Sequence, residues 1–188
     1  MKMRIPIIPT IFVIAAAATM VALGVWQLGR ADEKAELIAQ YETALANGEP
    51  VAFPKGRDAE ELWFRQSTVT CGRVTSSEPV AGTAANGAKG WVMRVKCATG
   101  DSVVLVDLGF TQDLAMPGWD GGEVVGVIAP GPRLVANPPV AGLYPLAKPN
   151  PGDLPNNHIA YAFQWFFFAL TALAIYGFAV RGRLRKRD

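Results

Sequence analysis

Apolar positions gather in two uninterrupted blocks. Residues 5–29 contain no Asp, Glu, Lys, Arg or His, and residues 160–180, just after the only histidine, form a second charge-free run. At ~1.5 Å per residue each is long enough, or nearly so, to cross a hydrocarbon core of about 30 Å. Between them the pattern changes. In residues 31–46, Leu37, Ile38, Tyr41 and Leu45 recur at three- and four-residue steps among Glu33, Lys34, Glu36 and Glu42. That spacing predicts a helix carrying the first span out of the bilayer, with Asn47-Gly48 and Pro50 as its stop. Strand signals follow. Residues 65–71 are rich in Thr and Val, and in residues 91–97 every odd position is apolar while Arg94 and Lys96 are basic, a half-buried strand. Residues 102–108 read as a more buried strand and residues 123–128 as another, all punctuated by Gly and Pro. Residues 130–155 are proline-rich without periodicity, an ordered irregular lead-in that Leu143, Tyr144 and Leu146 give something to pack.

The expected fold class is therefore a membrane protein: two transmembrane helices flanking a small α+β extramembrane domain with an antiparallel sheet or open barrel. The boundaries are an N-terminus at 1–6, a first span at 7–29, the domain at 31–157, a second span at 158–180 and a basic tail at 181–188.

Composition agrees. A 188-residue chain with 51% hydrophobic and 18% charged residues is too apolar for an ordinary soluble domain and too mixed for a pure membrane bundle. Its central segment is enough for one small globular domain. Charge adds orientation. Lys2 and Arg4 precede the first span, and Arg181, Arg183, Arg185, Lys186 and Arg187 follow the second. Basic residues beside a span stay on the cytoplasmic side, so both termini are expected inside and the domain outside. Residues 31–157 carry ten Lys/Arg against fifteen Asp/Glu, a net of −5 that the whole-chain figure of +2 hides. An acidic domain offers no footprint for nucleic acid, and the basic tail reads as a topology signal facing anionic lipid. The first block is expected to be an uncleaved signal anchor. It is long and ends in Trp26-Gln27 and then Arg30, with no clear small-x-small site after it.

Candidate chemistry is sparse. Gly82 to Lys89 approaches a phosphate-binding loop, but Ala88 intrudes between Gly87 and Lys89 and no Ser or Thr follows the lysine, so it reads as a hairpin loop. Cys71 and Cys97 both lie in the outside domain, too far apart for a CxxC pair and with no histidine there to complete a metal site. A disulfide and two buried free thiols both fit. Asp101, Asp107, Asp113 and Asp120 are scattered at strand ends and turns, where solvated or capping roles are expected, and no imidazole base stands near them. The lone His158 follows Pro155-Asn156-Asn157, a good helix start. On a helix Tyr161, Ala162 and Trp165 share its face, followed by Ala169 and Ala172, and by topology its head is level with Trp26 and Gln27. Two readings fit. An imidazole at that depth ligates an iron while the aromatics and alanines accept a flat macrocycle. Alternatively it is an interfacial histidine within an aromatic belt, beside small residues that pack helices.

The same residues carry a resemblance. Leu23-Gly24-Val25-Trp26-Gln27-Leu28-Gly29-Arg30 with Lys34 resembles the opening signature of the Surf1/Shy1 family of cytochrome c oxidase assembly factors. Asn157-His158-Ile159-Ala160-Tyr161-Ala162-Phe163-Gln164-Trp165-Phe166 is similar to its closing signature. Between them Trp63-Phe64-Arg65 and Val104-Leu105-Val106-Asp107-Leu108-Gly109-Phe110 occupy the family's strand positions in order, with Leu108-Gly109-Phe110 standing where the family usually shows Arg-Gly-Trp. The resemblance implies a two-span protein, without turnover chemistry, that assists biogenesis of an aa3-type haem-copper oxidase. It implies haem a as cofactor and the oxidase catalytic subunit, other assembly factors and the lipid membrane as partners. His158 is then the ligand to haem iron, with Tyr161 and Trp165 on its face, Trp26 and Gln27 across from it, and Arg30 paired to a haem propionate. A short basic N-terminus without an Arg/Ser-rich transit peptide points to a bacterial inner (plasma) membrane. The alternative is an interaction protein or accessory subunit that docks on the oxidase without haem, its Phe163, Phe166 and Phe167 side facing lipid or partner.

Overall fold

The computed structural model describes residues 6–54, 60–100, 102–115 and 117–185. Lys2, Arg4, Asp101, Lys186 and Arg187, and the side chain of Arg185, lie outside them. The chain divides into a helix unit, Met1–Leu37 with Pro155–Asp188, and a sheet unit, Ile38–Leu154.

Two helices dominate. Helix α1 runs Ile7–Asn47 and helix α2 runs His158–Arg185. The expected span at 7–29 and helix at 31–46 are one unbroken helix, because no proline or glycine pair interrupts the backbone between them and Gly48 ends it. Both are long and apolar enough to cross a membrane. Only 11% and 6% of their most apolar stretches are buried, which distinguishes them from core helices of a soluble protein.

The sheet unit holds seven strands: β1 (Val51–Ala52), β2 (Gln66–Cys71), β3 (Arg73–Thr83), β4 (Lys89–Thr99), β5 (Ser102–Thr111), β6 (Gly122–Ala129) and β7 (Arg133–Ala136). Their order is β1-β2-β6-β7-β5-β4-β3. The sheet is mixed, with parallel β1–β2 and β5–β7 pairs among otherwise antiparallel neighbours. Three strands, the two-residue β1 and the longer β3 and β7, stand where sequence periodicity indicates none. Strand β3 is exposed along most of its length and has no apolar alternation to betray it, and β7 is four residues long inside the proline-rich stretch expected to be irregular. Gly82 to Lys89 is the turn of the β3–β4 hairpin, closed by the Thr83–Lys89 pair.

The core follows from alternation. Met93, Val95 and Cys97 of β4, Val104, Val106 and Leu108 of β5, Val124 of β6 and Leu134 of β7 form one buried cluster. An extra residue on β5 between the Val92–Phe110 and Arg94–Asp107 pairs shifts its phase, so Phe110 leaves the face of Leu108 and joins Val92, Val135 and Leu146 on the other. Cys71 and Cys97 are joined by a disulfide with Cα atoms 5.1 Å apart. Strands β2 and β4 are separated by three others in the sheet, so the bridge shows the sheet curled into an open barrel, and the Gly72 amide donating to the Ala98 carbonyl at 3.0 Å marks the same seam.

Asp107 corrects the expectation of a solvated or capping carboxylate. It sits inside β5, 3% exposed, and accepts from Arg94 Nε at 2.6 Å, Arg94 Nη2 at 3.0 Å and Arg133 Nε at 2.9 Å. Arg94 of β4 is its register partner and Arg133 comes from β7. Hydrogen bonding to Asp107, assisted by the charges of Asp107 and Glu78, raises the Arg94 pKa against the opposing effect of burial. A carboxylate survives there because two guanidiniums replace the water it loses.

Candidate functional site

The helix unit is held by a seam read at alternating three- and four-residue steps: Thr10, Val13, Ala17, Met20, Gly24, Gln27 and Ala31 on α1. On α2 the matching positions are His158, Ala162, Phe166, Ala169 and Tyr176. Ala17, Ala31, Ala162 and Ala169 are buried there while Phe12, Phe163, Leu170 and Phe178 point outward. Small residues allow the close backbone approach that substitutes for a hydrophobic driving force between helices in lipid. At Gly24 a methyl group would lie 2.8 Å from Phe166 Cδ1 and Cζ, so the ring occupies the place of the missing side chain.

Polar contacts close both ends of the seam. At one end Thr10 Oγ1 meets the Tyr176 hydroxyl. The Thr10 hydroxyl already donates to the Pro6 carbonyl at 2.8 Å, so Tyr176 is the donor to it. At the other end His158 Nδ1 and Gln27 Oε1 stand 2.8 Å apart, and Asn156 Nδ2 reaches the Ala31 carbonyl at 3.5 Å. Thr10 and Gln27 are about 26 Å apart along α1 at ~1.5 Å per residue, so the two clasps bracket a bilayer-sized apolar stretch.

Of the residues expected to build a site, His158 and Gln27 are brought into direct contact. Trp26 and Tyr161 are 56% and 51% exposed, and Trp165 is half-buried with its ring edge-on to Phe168. Tyr161 does not share the packed face of His158, and Ala162 takes that place. At about 100° per residue the fourth residue on lies about 40° from His158 and the third about 60° to the other side, and the seam follows the former. The same wheel puts Arg30 of α1 and Tyr161 and Trp165 of α2 on the side of the seam where the Gln27–His158 pair sits, whereas Trp26, about 100° round from Gln27 and exposed, turns away from α2. Arg30, Tyr161 and Trp165 frame an open face, not an enclosed pocket. Arg30 gives its guanidinium to Glu33, one turn on in its own helix. Cys71 and Cys97 belong to the sheet unit.

Thr10, Tyr176 and Gly24 were not singled out by sequence reasoning. The signal was present: a lone hydroxyl in an apolar span has few ways to be satisfied except across a helix pair. Asn156 Oδ1, two residues before His158, is buried with no hydrogen-bond partner among the described residues. Among the described residues no group of three or more His, Cys, Asp or Glu stands together.

A family model described as SURF1 family matches residues 14–142, from inside α1 through the last strand, β7, and stops short of α2. No curated protein matches the chain.

Proposed function

Because the chain belongs to the SURF1 family, a family of cytochrome oxidase assembly factors and not of catalysts, we propose that it holds haem a at the outer end of its helix pair and assists its insertion into the catalytic subunit of an aa3-type oxidase. It sits in a bacterial inner membrane with both termini cytoplasmic and residues 31–157 in the periplasm. The basic flanks of the spans and the net charge of −5 between them support that orientation.

The observation that carries the haem reading is the Gln27–His158 contact. A bare zinc ion needs three or four His, Cys, Asp or Glu ligands, which the described residues do not bring together. A haem iron brings four nitrogens of its own and needs one from the protein, which a single imidazole fits. Tyr161 and Trp165 offer flat aromatic surface on the same side of α2. Arg30 is at the rim, where a propionate would exchange for the Glu33 carboxylate that it binds. An open face between two lipid-facing helices suits cargo that must leave sideways into another membrane subunit, since no core has to open.

The test is an absorption spectrum of the detergent-purified protein co-expressed with haem a synthesis. A reduced haem band is expected, falling more than about tenfold in His158→Ala while the variant still inserts and folds. A colourless wild type that still co-purifies with oxidase would make the chain a protein-binding scaffold or accessory subunit, and His158 an interfacial residue.

A further inference from the structure

We propose that Gln27 is a positioning residue that fixes the tautomer of His158 and so selects Nε2 as the nitrogen that binds iron. The inference rests on the haem reading above and adds a role that contact with haem does not require. The ring is the only imidazole in the chain, and its Nδ1 lies 2.8 Å from Gln27 Oε1. An amide oxygen only accepts, so Nδ1 must carry the proton. A neutral imidazole has one N–H, which leaves the lone pair on Nε2. Among the described residues Nε2 hydrogen-bonds no protein group, so the nitrogen at the tip of the ring is left free to donate.

The contact joins residues 131 positions apart on two different helices. The ring is therefore set by the pairing of α1 with α2 and not by α2 alone. On the α2 side it stands at the helix start, where a side chain otherwise has rotamer freedom. Gly24 against Phe166 and the Asn156–Ala31 hydrogen bond hold the helices in the register that places Oε1 there. A histidine that ligates a metal characteristically donates its other ring N–H to a carbonyl or carboxylate, and losing that partner costs 10- to 100-fold in affinity. Reversing the Gln27 amide would make its nitrogen the donor, move the proton to Nε2 and block ligation. The two arrangements therefore predict opposite spectra.

A single histidine makes the experiment clean. The full chain, labelled with ¹⁵N-histidine in detergent micelles at an alkaline pH where free imidazole is neutral, should show a pyrrole-type Nδ1 and a pyridine-type Nε2. Gln27→Leu should let the Nε2-protonated form appear and reduce haem retention roughly tenfold or more. Gln27→Glu keeps an acceptor, so it should preserve the tautomer and the bound haem. It should also lower the midpoint potential, because a carboxylate makes the ring a stronger donor. A protonated Nε2 in the wild type overturns the proposal, with no variant needed. So does a Gln27→Leu protein with unchanged tautomer and unchanged haem. If the tautomer is as expected and the wild type takes up no haem, the haem reading fails and the lock between the helices stands.

Discussion

Asp107 shows how a single charge can be hidden by its neighbours in sequence. Within Leu105-Val106-Asp107-Leu108 it looks like an interruption, yet it is the point where three strands are tied together. Asp107→Asn keeps the shape and removes the charge, leaving Arg94 and Arg133 without their partner. Their side chains are 21% and 31% exposed, so water recovers part of the loss. We expect a destabilisation of about 2 kcal/mol, measured by unfolding of the full chain in detergent. Tyr41 gives a pH dependence at the same scale. It packs against Phe64 and Trp63, with ring centroids 5.1 and 6.2 Å away, and burial, followed by the charges of Glu60 and Glu61, raises its pKa above the ordinary value of about 10. A raised folded value means that folding favours the neutral phenol. Its contribution is intact below about pH 10 and is lost as pH rises through the folded value. Tyr41→Phe should remove that alkaline loss from a stability–pH curve, and an unchanged curve would refute the assignment. Neither effect is visible in local sequence, because each depends on groups brought from other strands or turns.

At the scale of the element, the helix pair depends on the absence of side chains as much as on their presence. Gly24 leaves the room that Phe166 fills. Gly24→Leu should separate the helices, whereas Ala22→Leu, at an exposed position outside the seam, should not. The measurement is a cross-link between cysteines placed at Thr10 and Tyr176, which touch in the native pair. It should form in the Ala22→Leu background and fail in Gly24→Leu; formation in both would mean that the seam tolerates the wedge. Without those cysteines, Tyr176→Phe should weaken pairing by about 1 kcal/mol, the worth of one interhelical hydrogen bond in lipid. The strands divide differently. Residues 91–97 announce themselves by alternation because one side faces a core and the other water. Strand β3 does not, since both its faces are largely exposed and its place depends on pairing with β4.

For the whole molecule, the expected orientation has a direct test. Asn86, at the exposed turn of the β3–β4 hairpin, and Gly182, exposed near the end of α2, lie on opposite sides of the membrane if the basic flanks govern topology. Asn86→Cys should react with an impermeant maleimide in intact spheroplasts, and Gly182→Cys only after the membrane is opened; the reverse would overturn the orientation. The Cys71–Cys97 disulfide supports the same arrangement, since such a bridge persists on the oxidising side. By itself the sequence determined the two spans, the helix that leads out of the first, the strands with clean alternation and the level at which His158 meets Gln27. These are properties of local periodicity and length, which a backbone with a fixed rise and turn converts into position. Only the tertiary structure decided the parallel pairings of β1 with β2 and β5 with β7, the joining of Cys71 to Cys97 across three intervening strands, the burial of Asp107 and the turning of Tyr161 out of the seam. Each of these depends on which distant segment arrives as a neighbour, and a one-dimensional pattern of apolar and polar residues states the need for a partner without stating which partner meets it.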